Sequence, residues 1–232
     1  MLQPKNLIEE DHGNLTLKIY NSMVYVYQKF SSYDWYYIVD DDAYVNIRNL
    51  KEFLKDKPKN IPITYGYNFK VIVKDGYHSG GPGYALSKAA FTKISKEMVK
   101  DINNCPNTGT DDVDINDCVR KYNGTKGKSI DKYGRERFLV LSLMDHFNGD
   151  FPEWLYDHAE NKPKKGLKCC SDNIIAVHYM SPEDIFRIDL AIETHESTIR
   201  LYEKFYKTGK KVKFKNIIKN YIHLENIEKN TN

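Results

Sequence analysis

The sequence predicts an α/β protein in which a mixed sheet is flanked by helices. Short apolar runs typical of buried strands alternate with longer segments of helical periodicity, and polar motifs follow the strands. The length of 232 residues suits one domain, or one domain with a tail. Hydrophobic residues make up 41% and aromatic residues 13%, which excludes global disorder. The net charge of +3 is too small to indicate nucleic-acid binding.

The first predicted strand covers residues 35–39 and ends at three consecutive carboxylates, Asp40, Asp41 and Asp42. Alternation along a strand places Asp40 and Asp42 on one face and Asp41 on the other. Adjacent carboxylates repel one another, and a hard divalent cation such as Mg²⁺ or Mn²⁺ compensates them most simply. A solvated acidic turn is the alternative, but the apolar strand before the carboxylates and the Tyr-Val pair after them favour the metal site.

Helices are predicted on both sides of this strand. Residues 14–30 place apolar side chains on one face, and Asn46 begins a second helix that ends by Pro58. Two further strand-like segments, residues 63–67 and 69–73, predict a hairpin.

A glycine-rich segment follows at residues 78–84, with Gly80, Gly81 and Gly83 in close succession. Ser87 then caps a predicted helix. Glycines let a backbone bend sharply and approach a ligand closely, so the segment is either a simple turn or a binding loop. It matches neither a phosphate-binding nor a dinucleotide-binding fingerprint.

Another helix is predicted from Thr110, with Asp111 and Asp112 in its first turn. Acids at this position suit the helix dipole, which is a purely structural explanation. The alternative is a general base held beside the glycine-rich segment.

Residues 123–168 are polar apart from Trp154, and they predict long loops that form a lid over a cleft.

The C-terminal part begins with a predicted buried strand in residues 174–180 that ends at His178, and a lone histidine at a strand end is more often structural than a ligand. Ser181 and Pro182 then start a helix that runs to about Phe205. The basic residues 207–232 predict a solvated tail. No apolar run is long enough to span a membrane, and no signal peptide is visible.

These motifs together resemble the core 1 β1,3-galactosyltransferases and, more distantly, the Fringe glycosyltransferases. The resemblance covers roughly residues 14–200 and depends on the Asp triplet, the glycine-rich segment, and four further motifs: Asp111-Asp112 with Cys118 following, Gly134-Arg135-Glu136-Arg137-Phe138, Cys169-Cys170-Ser171-Asp172 and His178-Tyr179. It implies a GT-A fold, a type of α/β fold with a nucleotide-sugar cleft. The family's membrane anchor, stem and first uridine-binding segment are not visible before Leu15. We therefore expect residues 1–206 to be a partial catalytic domain, followed by the tail at 207–232.

The resemblance also implies a reaction: transfer of galactose from UDP-galactose to the 3-hydroxyl of GalNAc on glycoproteins, with inversion. The implied Mn²⁺ ligands are Asp42 and His178, with Asp40 in the same shell. The implied catalytic residues are Asp112 as base and Asp111 beside it. Residues expected to bind donor or acceptor are Asp40, Asp41, Gly80, Gly81, Tyr84 and Trp154.

The family lies in the Golgi as type II membrane proteins with a signal anchor, and a homodimer is a candidate assembly. A secretory lumen favours disulfides. A Cys105–Cys118 bridge would fix the helix that carries Asp112, which leaves Cys169 and Cys170 for each other. The sequons at Asn14 and Asn123 are candidate glycosylation sites. The alternatives are a catalytically inactive or truncated relative that acts as a binding protein, and a Fringe-like β1,3-N-acetylglucosaminyltransferase.

Overall fold

The structure of the protein is a computed structural model that describes residues 12–206, with side chains described from residue 13 to residue 194. The predicted tail at residues 207–232 lies outside this part of the chain. The α-helices are α1 (Leu15–Phe30), α2 (Ile47–Leu54), α3 (Lys88–Lys100), α4 (Asp111–Lys121), α5 (Leu143–Asn148), α6 (Glu153–His158) and α7 (Pro182–Tyr206). The strands are β1 (Trp35–Ile38), β2 (Tyr44–Val45), β3 (Ile63–Tyr65), β4 (Asn68–Phe69), β5 (Tyr77–His78), β6 (Tyr84–Ser87), β7 (Thr125–Lys126), β8 (Phe138–Leu139) and β9 (Ala176–Val177).

The strands form mixed sheets, which confirms the predicted α/β class. A four-stranded sheet has the order β1-β6-β3-β7, in which β3 and β7 are parallel and the other pairs are antiparallel. A three-stranded sheet has the order β2-β9-β8, with β2 antiparallel and β8 parallel to the central β9. Strands β4 and β5 form a separate antiparallel pair.

Three apolar clusters cover these sheets. The first packs α1, α3 and α4 against β1 and β6, and Tyr36 of β1 stacks on Phe91 of α3 with ring centroids 3.6 Å apart. The second lies under α2 around Tyr65, Phe138 and Ile175. The third joins the three-stranded sheet to α7. Each fully buried apolar side chain of this size contributes about 1.5–3 kcal/mol relative to an exposed one.

The predicted helix starts are present where local chemistry specifies them. Asn46 accepts a hydrogen bond from the Asn49 amide, and Ser87 accepts one from the Ala90 amide. Thr110 precedes α4 as predicted, but its side chain makes no capping hydrogen bond.

Two predictions about the middle of the chain are wrong. The segment at residues 63–67 does not form a hairpin with residues 69–73, because β3 pairs with β6 and β7 inside the larger sheet. The turn instead lies at residues 70–76, between β4 and β5. Residues 123–168 are not loops throughout, since they contain β7, β8, α5 and α6. These elements of two to six residues are too short for a periodic pattern to reveal.

Candidate active site

The carboxylates after β1 and the histidine after β9 meet at one place. Tyr44 of β2 pairs with Val177 of β9, and the Met180 amide donates to the Asp42 carbonyl at 2.7 Å. These backbone contacts bring Asp42 and His178 together although they lie far apart in sequence.

The side chains of Asp40, Asp42 and His178 form a cluster of possible metal ligands. The Nε2 atom of His178 lies 3.1 Å from Oδ1 of Asp42 and 3.7 Å from Oδ2 of Asp40. One ligand atom from each residue falls within 4.8 Å of the others. Both carboxylates are about half exposed, so the cluster opens to solvent. Asp41 is not part of it.

The orientation of His178 suits a metal ligand. Its Nδ1 atom lies 3.2 Å from the Val140 carbonyl oxygen, which accepts but cannot donate a hydrogen bond. This contact places the proton of the neutral ring on Nδ1 and leaves the Nε2 lone pair facing the carboxylates. Burial raises the pKa of Asp40 above its usual value, an effect that His178 partly offsets. Two carboxylates and one imidazole therefore form a ligand set that fits a divalent first-row cation.

The glycine-rich segment lies against both halves of the site. A Cβ on Gly81 would stand 2.1 Å from two atoms of the His178 ring, and a Cβ on Gly80 would stand 3.2 Å from Cβ of Asp112. Gly83 has a φ of +81°, and a side chain there would meet the Ile38 carbonyl oxygen. The Tyr37 hydroxyl donates to the Pro82 carbonyl at 2.6 Å and ties the segment to β1.

Asp112 is held by two backbone amides at the start of α4. Gly80 donates to its Oδ2 at 2.9 Å, and Val113 donates to its Oδ1 at 2.8 Å. Burial raises the pKa of Asp112, although these two hydrogen bonds lower it. Burial, Asp112 and Asp40 together raise the pKa of Asp111 to about 6. The site therefore contains a pair of acids with raised pKa values beside the metal-ligand cluster.

Two residues of the predicted substrate-binding set, Tyr84 and Trp154, are not among the possible metal ligands. Tyr84 is fully buried, and its ring stacks on that of His78 with ring centroids 6.2 Å apart. Trp154 lies on α6 and is 43% exposed, with ring contacts to Phe69 and His158.

The cysteines form the two expected pairs, Cys105–Cys118 and Cys169–Cys170. The first bridge links the segment before α4 to the helix itself. Of the two sequons, Asn123 is exposed, whereas Asn14 is only partly so.

Three structural contributors to the site were missed from the sequence. The Val140 carbonyl orients His178, and every residue carries a carbonyl, so nothing marks this one. Tyr37 is one of three consecutive aromatic residues in the run that predicts β1. Nothing in the sequence indicates that its hydroxyl holds the glycine-rich segment. Tyr179 is 58% exposed, has a φ of +53° and stacks on His178 at 3.8 Å. Its place in the His-Tyr motif was a usable signal.

The chain resembles galactosyltransferases in two independent comparisons. Residues 6–77 match the family model described as Galactosyltransferase. The chain is also 34% identical over 164 residues to glycoprotein-N-acetylgalactosamine 3-beta-galactosyltransferase 1 of Xenopus laevis. The predicted recognition is therefore confirmed: the chain is similar to the core 1 β1,3-galactosyltransferase family.

The matched regions are partial. The Xenopus match covers 68% of this chain and 45% of that protein. Chondroitin sulfate synthase 3 of Homo sapiens is 30% identical over 107 residues, which is 40% of this chain and 12% of that protein, and the Mus musculus protein matches to the same extent. The chain thus spans less than half the length of the curated relatives it matches. Within the described residues, no helix has the length and apolar character needed to cross a bilayer.

Proposed function

We propose that the chain is the catalytic part of an inverting, Mn²⁺-dependent galactosyltransferase with a GT-A fold. It moves galactose from UDP-galactose to the 3-hydroxyl of GalNAc linked to glycoproteins. One observation carries the proposal: two consecutive glycines lie against the two functional groups of the site, Gly80 against Asp112 and Gly81 against His178. The metal-ligand cluster and the candidate base are therefore neighbours. The printed name of the Xenopus relative supplies the sugar and the acceptor.

The donor side of the site is formed by Asp40, Asp42 and His178, which would hold Mn²⁺. When bound, the ion would supply Lewis-acid stabilisation of the negative charge on departing UDP. The Val140 carbonyl keeps the Nε2 atom of His178 free for that role. The missing side chains at Gly80 and Gly81 leave room for the sugar to approach the backbone.

The acceptor side is formed by Asp112. Inversion requires a single displacement, in which the acceptor hydroxyl attacks the anomeric carbon directly. Asp112 takes the proton of that hydroxyl as the new bond forms. Each of its oxygens accepts one described backbone hydrogen bond, so each keeps a lone pair for the substrate. Asp111 lies beside the base, Asp41 contacts the donor, and Trp154 covers the acceptor sugar.

The cellular setting follows from the same proposal. Two disulfides suit an oxidising compartment, and an exposed Asn123 suits glycosylation in the secretory lumen. Residues 1–206 belong to the catalytic domain in this proposal. A Golgi location, a membrane anchor and a homodimer remain predictions from the family.

The test measures UDP release from UDP-galactose with a GalNAc-peptide acceptor, in Mn²⁺ and in EDTA. We expect release only with metal and acceptor together. Asp42→Asn should weaken Mn²⁺-dependent UDP binding about tenfold or more, because it removes a charged ligand. Asp56→Asn is the matched control, since it neutralises an exposed carboxylate that is not part of the cluster.

The other outcomes distinguish the alternatives. Transfer from UDP-N-acetylglucosamine rather than UDP-galactose would favour a Fringe-like enzyme. UDP binding without transfer to any acceptor would favour a binding protein. Equal UDP affinity in Asp42→Asn and the unsubstituted chain would reject the metal assignment.

A further inference from the structure

A second buried carboxylate, Asp114, lies two residues after Asp112, and the proposed chemistry does not use it. The residue is 1% exposed. Its Oδ2 atom accepts from the Thr16 hydroxyl at 2.6 Å and from the Thr108 amide at 2.8 Å, and its Oδ1 atom accepts from the Thr108 hydroxyl at 2.9 Å. Asp114 therefore joins three parts of the chain: α1, the segment before α4, and α4 itself. We call Thr16, Thr108 and Asp114 the Asp114 clamp.

A second contact holds the same segment to α1. The Tyr20 hydroxyl, on a fully buried side chain, donates to the Pro106 carbonyl at 2.6 Å. The Cys105–Cys118 bridge joins the beginning of the segment to the last part of α4. Residues 105–110 are thus attached to helices at several points.

The start of α4 needs this support because its own cap is weak. Thr110 makes no side-chain capping hydrogen bond. Asp114 instead reaches back to the Thr108 amide, in the manner in which an acid of a capping box satisfies a donor before its helix. Asp111 and Asp112 are the first two residues of α4. By holding the start of this helix, the clamp sets the backbone position from which both side chains extend.

The chemistry of the clamp favours a positional role over a purely stabilising one. Burying a carboxylate costs free energy unless the group is fully hydrogen-bonded. An apolar residue of similar size often stabilises a buried interface at least as much as a buried charged group does. Hydrogen bonds to a charged acceptor are short and directional, so they set one geometry. That geometry includes the approach of Asp112 to the Gly80 amide.

We propose that Asp114 is a positioning residue for Asp112: the Asp114 clamp sets the place of the Asp112 carboxylate relative to the glycine-rich segment and the acceptor hydroxyl. The inference rests on the proposed function, because Asp112 acts as a base only in that reaction. A misplacement of about 1 Å can cost on the order of 100-fold in rate. Loosening the clamp should therefore lower kcat more than it lowers the affinity for the donor.

The experiment compares Thr16→Val and Asp114→Asn with two controls. Thr16→Ser keeps the hydroxyl, and Ser22→Ala removes a hydroxyl of α1 that bonds only within that helix, to the Lys18 carbonyl. We expect Thr16→Val to lower kcat about tenfold while KM for UDP-galactose and Mn²⁺-dependent UDP binding change less than about twofold. Asp114→Asn should lower kcat further, and both controls should match the unsubstituted protein.

Unchanged kcat in Thr16→Val, or equal losses of kcat and UDP binding, would overturn the proposal. Thr16→Val decides the matter if Asp114→Asn fails to fold, since it keeps the volume and leaves the Thr108 contacts. If the unsubstituted chain transfers no galactose, the proposed function fails by itself. Amide hydrogen exchange then tests the clamp: faster exchange at Gly80 and Val113 in Thr16→Val than in Ser22→Ala supports it, and equal exchange rejects it.

Discussion

Gly81→Ala should weaken metal binding, because the new methyl group has no room beside His178. The added Cβ would lie 2.1 Å from Cε1 and Nδ1 of the ring and 2.5 Å from Nε2. Protein Cβ atoms essentially never approach other heavy atoms within 3.0 Å, so the ring or the segment must shift by about 1 Å. The φ of Gly81 is not in the left-handed region, so this contact, rather than backbone strain, is the cost of the substitution.

The size of the effect follows from what holds His178. A shift of the ring breaks the 3.2 Å contact from Nδ1 to the Val140 carbonyl and turns Nε2 away from Asp42. Loss of such an orienting contact typically costs about 10–100-fold in metal affinity. This corresponds to about 1.4–2.8 kcal/mol of binding free energy.

Isothermal titration calorimetry of UDP binding in the presence of Mn²⁺ measures this loss, and the thermal midpoint of unfolding checks that the variant is folded. Gly80→Ala is the matched control. Its Cβ would stand 3.2 Å from Cβ of Asp112, which a small adjustment accommodates, and it faces the base rather than the metal ligands. We expect Gly80→Ala to retain UDP affinity within about threefold while slowing transfer. A folded Gly81→Ala protein with unchanged Mn²⁺-dependent UDP affinity would refute the reasoning.

Two further predictions concern buried acids. Asp112→Asn should reduce transfer by about 10²–10⁴-fold while leaving UDP binding nearly intact, because a general base acts in the transition state. A variant that keeps more than about a tenth of the rate would reduce Asp112 to a helix-start acid. Burial raises the pKa of Glu136 from 4.5 to about 7, so its folded-state pKa exceeds the unfolded one. The contribution of Glu136 to the free energy of unfolding should therefore be highest below pH 4.5 and fall by up to about 3 kcal/mol as the pH rises through about 7. Glu136→Gln cannot ionise, so urea denaturation at pH 5 and pH 8 should show a smaller loss for this variant, and equal losses would contradict the prediction.

Local chemistry made part of the fold predictable. Helix α3 begins where Ser87 can accept from the Ala90 amide, and both residues lie within one turn. The apolar run before Asp40 predicted β1 because the strand and its polar end are adjacent in sequence, although only Tyr36 of this strand is buried. The acids in the first turn of α4 likewise predicted the start of that helix, because they lie next to it in sequence. Each of these features depends on residues a few positions apart, which periodicity and capping rules describe.

The partners of the strands were not predictable in this way. The pattern of β3 fits a hairpin with the next segment as well as a place between β6 and β7. A strand's own residues show that one or both faces are buried, but not which strand lies beside it. Total burial of apolar surface decides that question, and it depends on the whole chain.

The sequence by itself determined the residue types of the candidate site and the family it resembles. Only the tertiary structure decided that Gly81 touches the ring of His178, that the Val140 carbonyl orients this ring, and that Thr16 bonds to Asp114 across 98 positions. The physical reason is that hydrogen-bond direction and steric contact are properties of atoms in space. A residue type states which contacts are available to a side chain, and packing selects the one that is made.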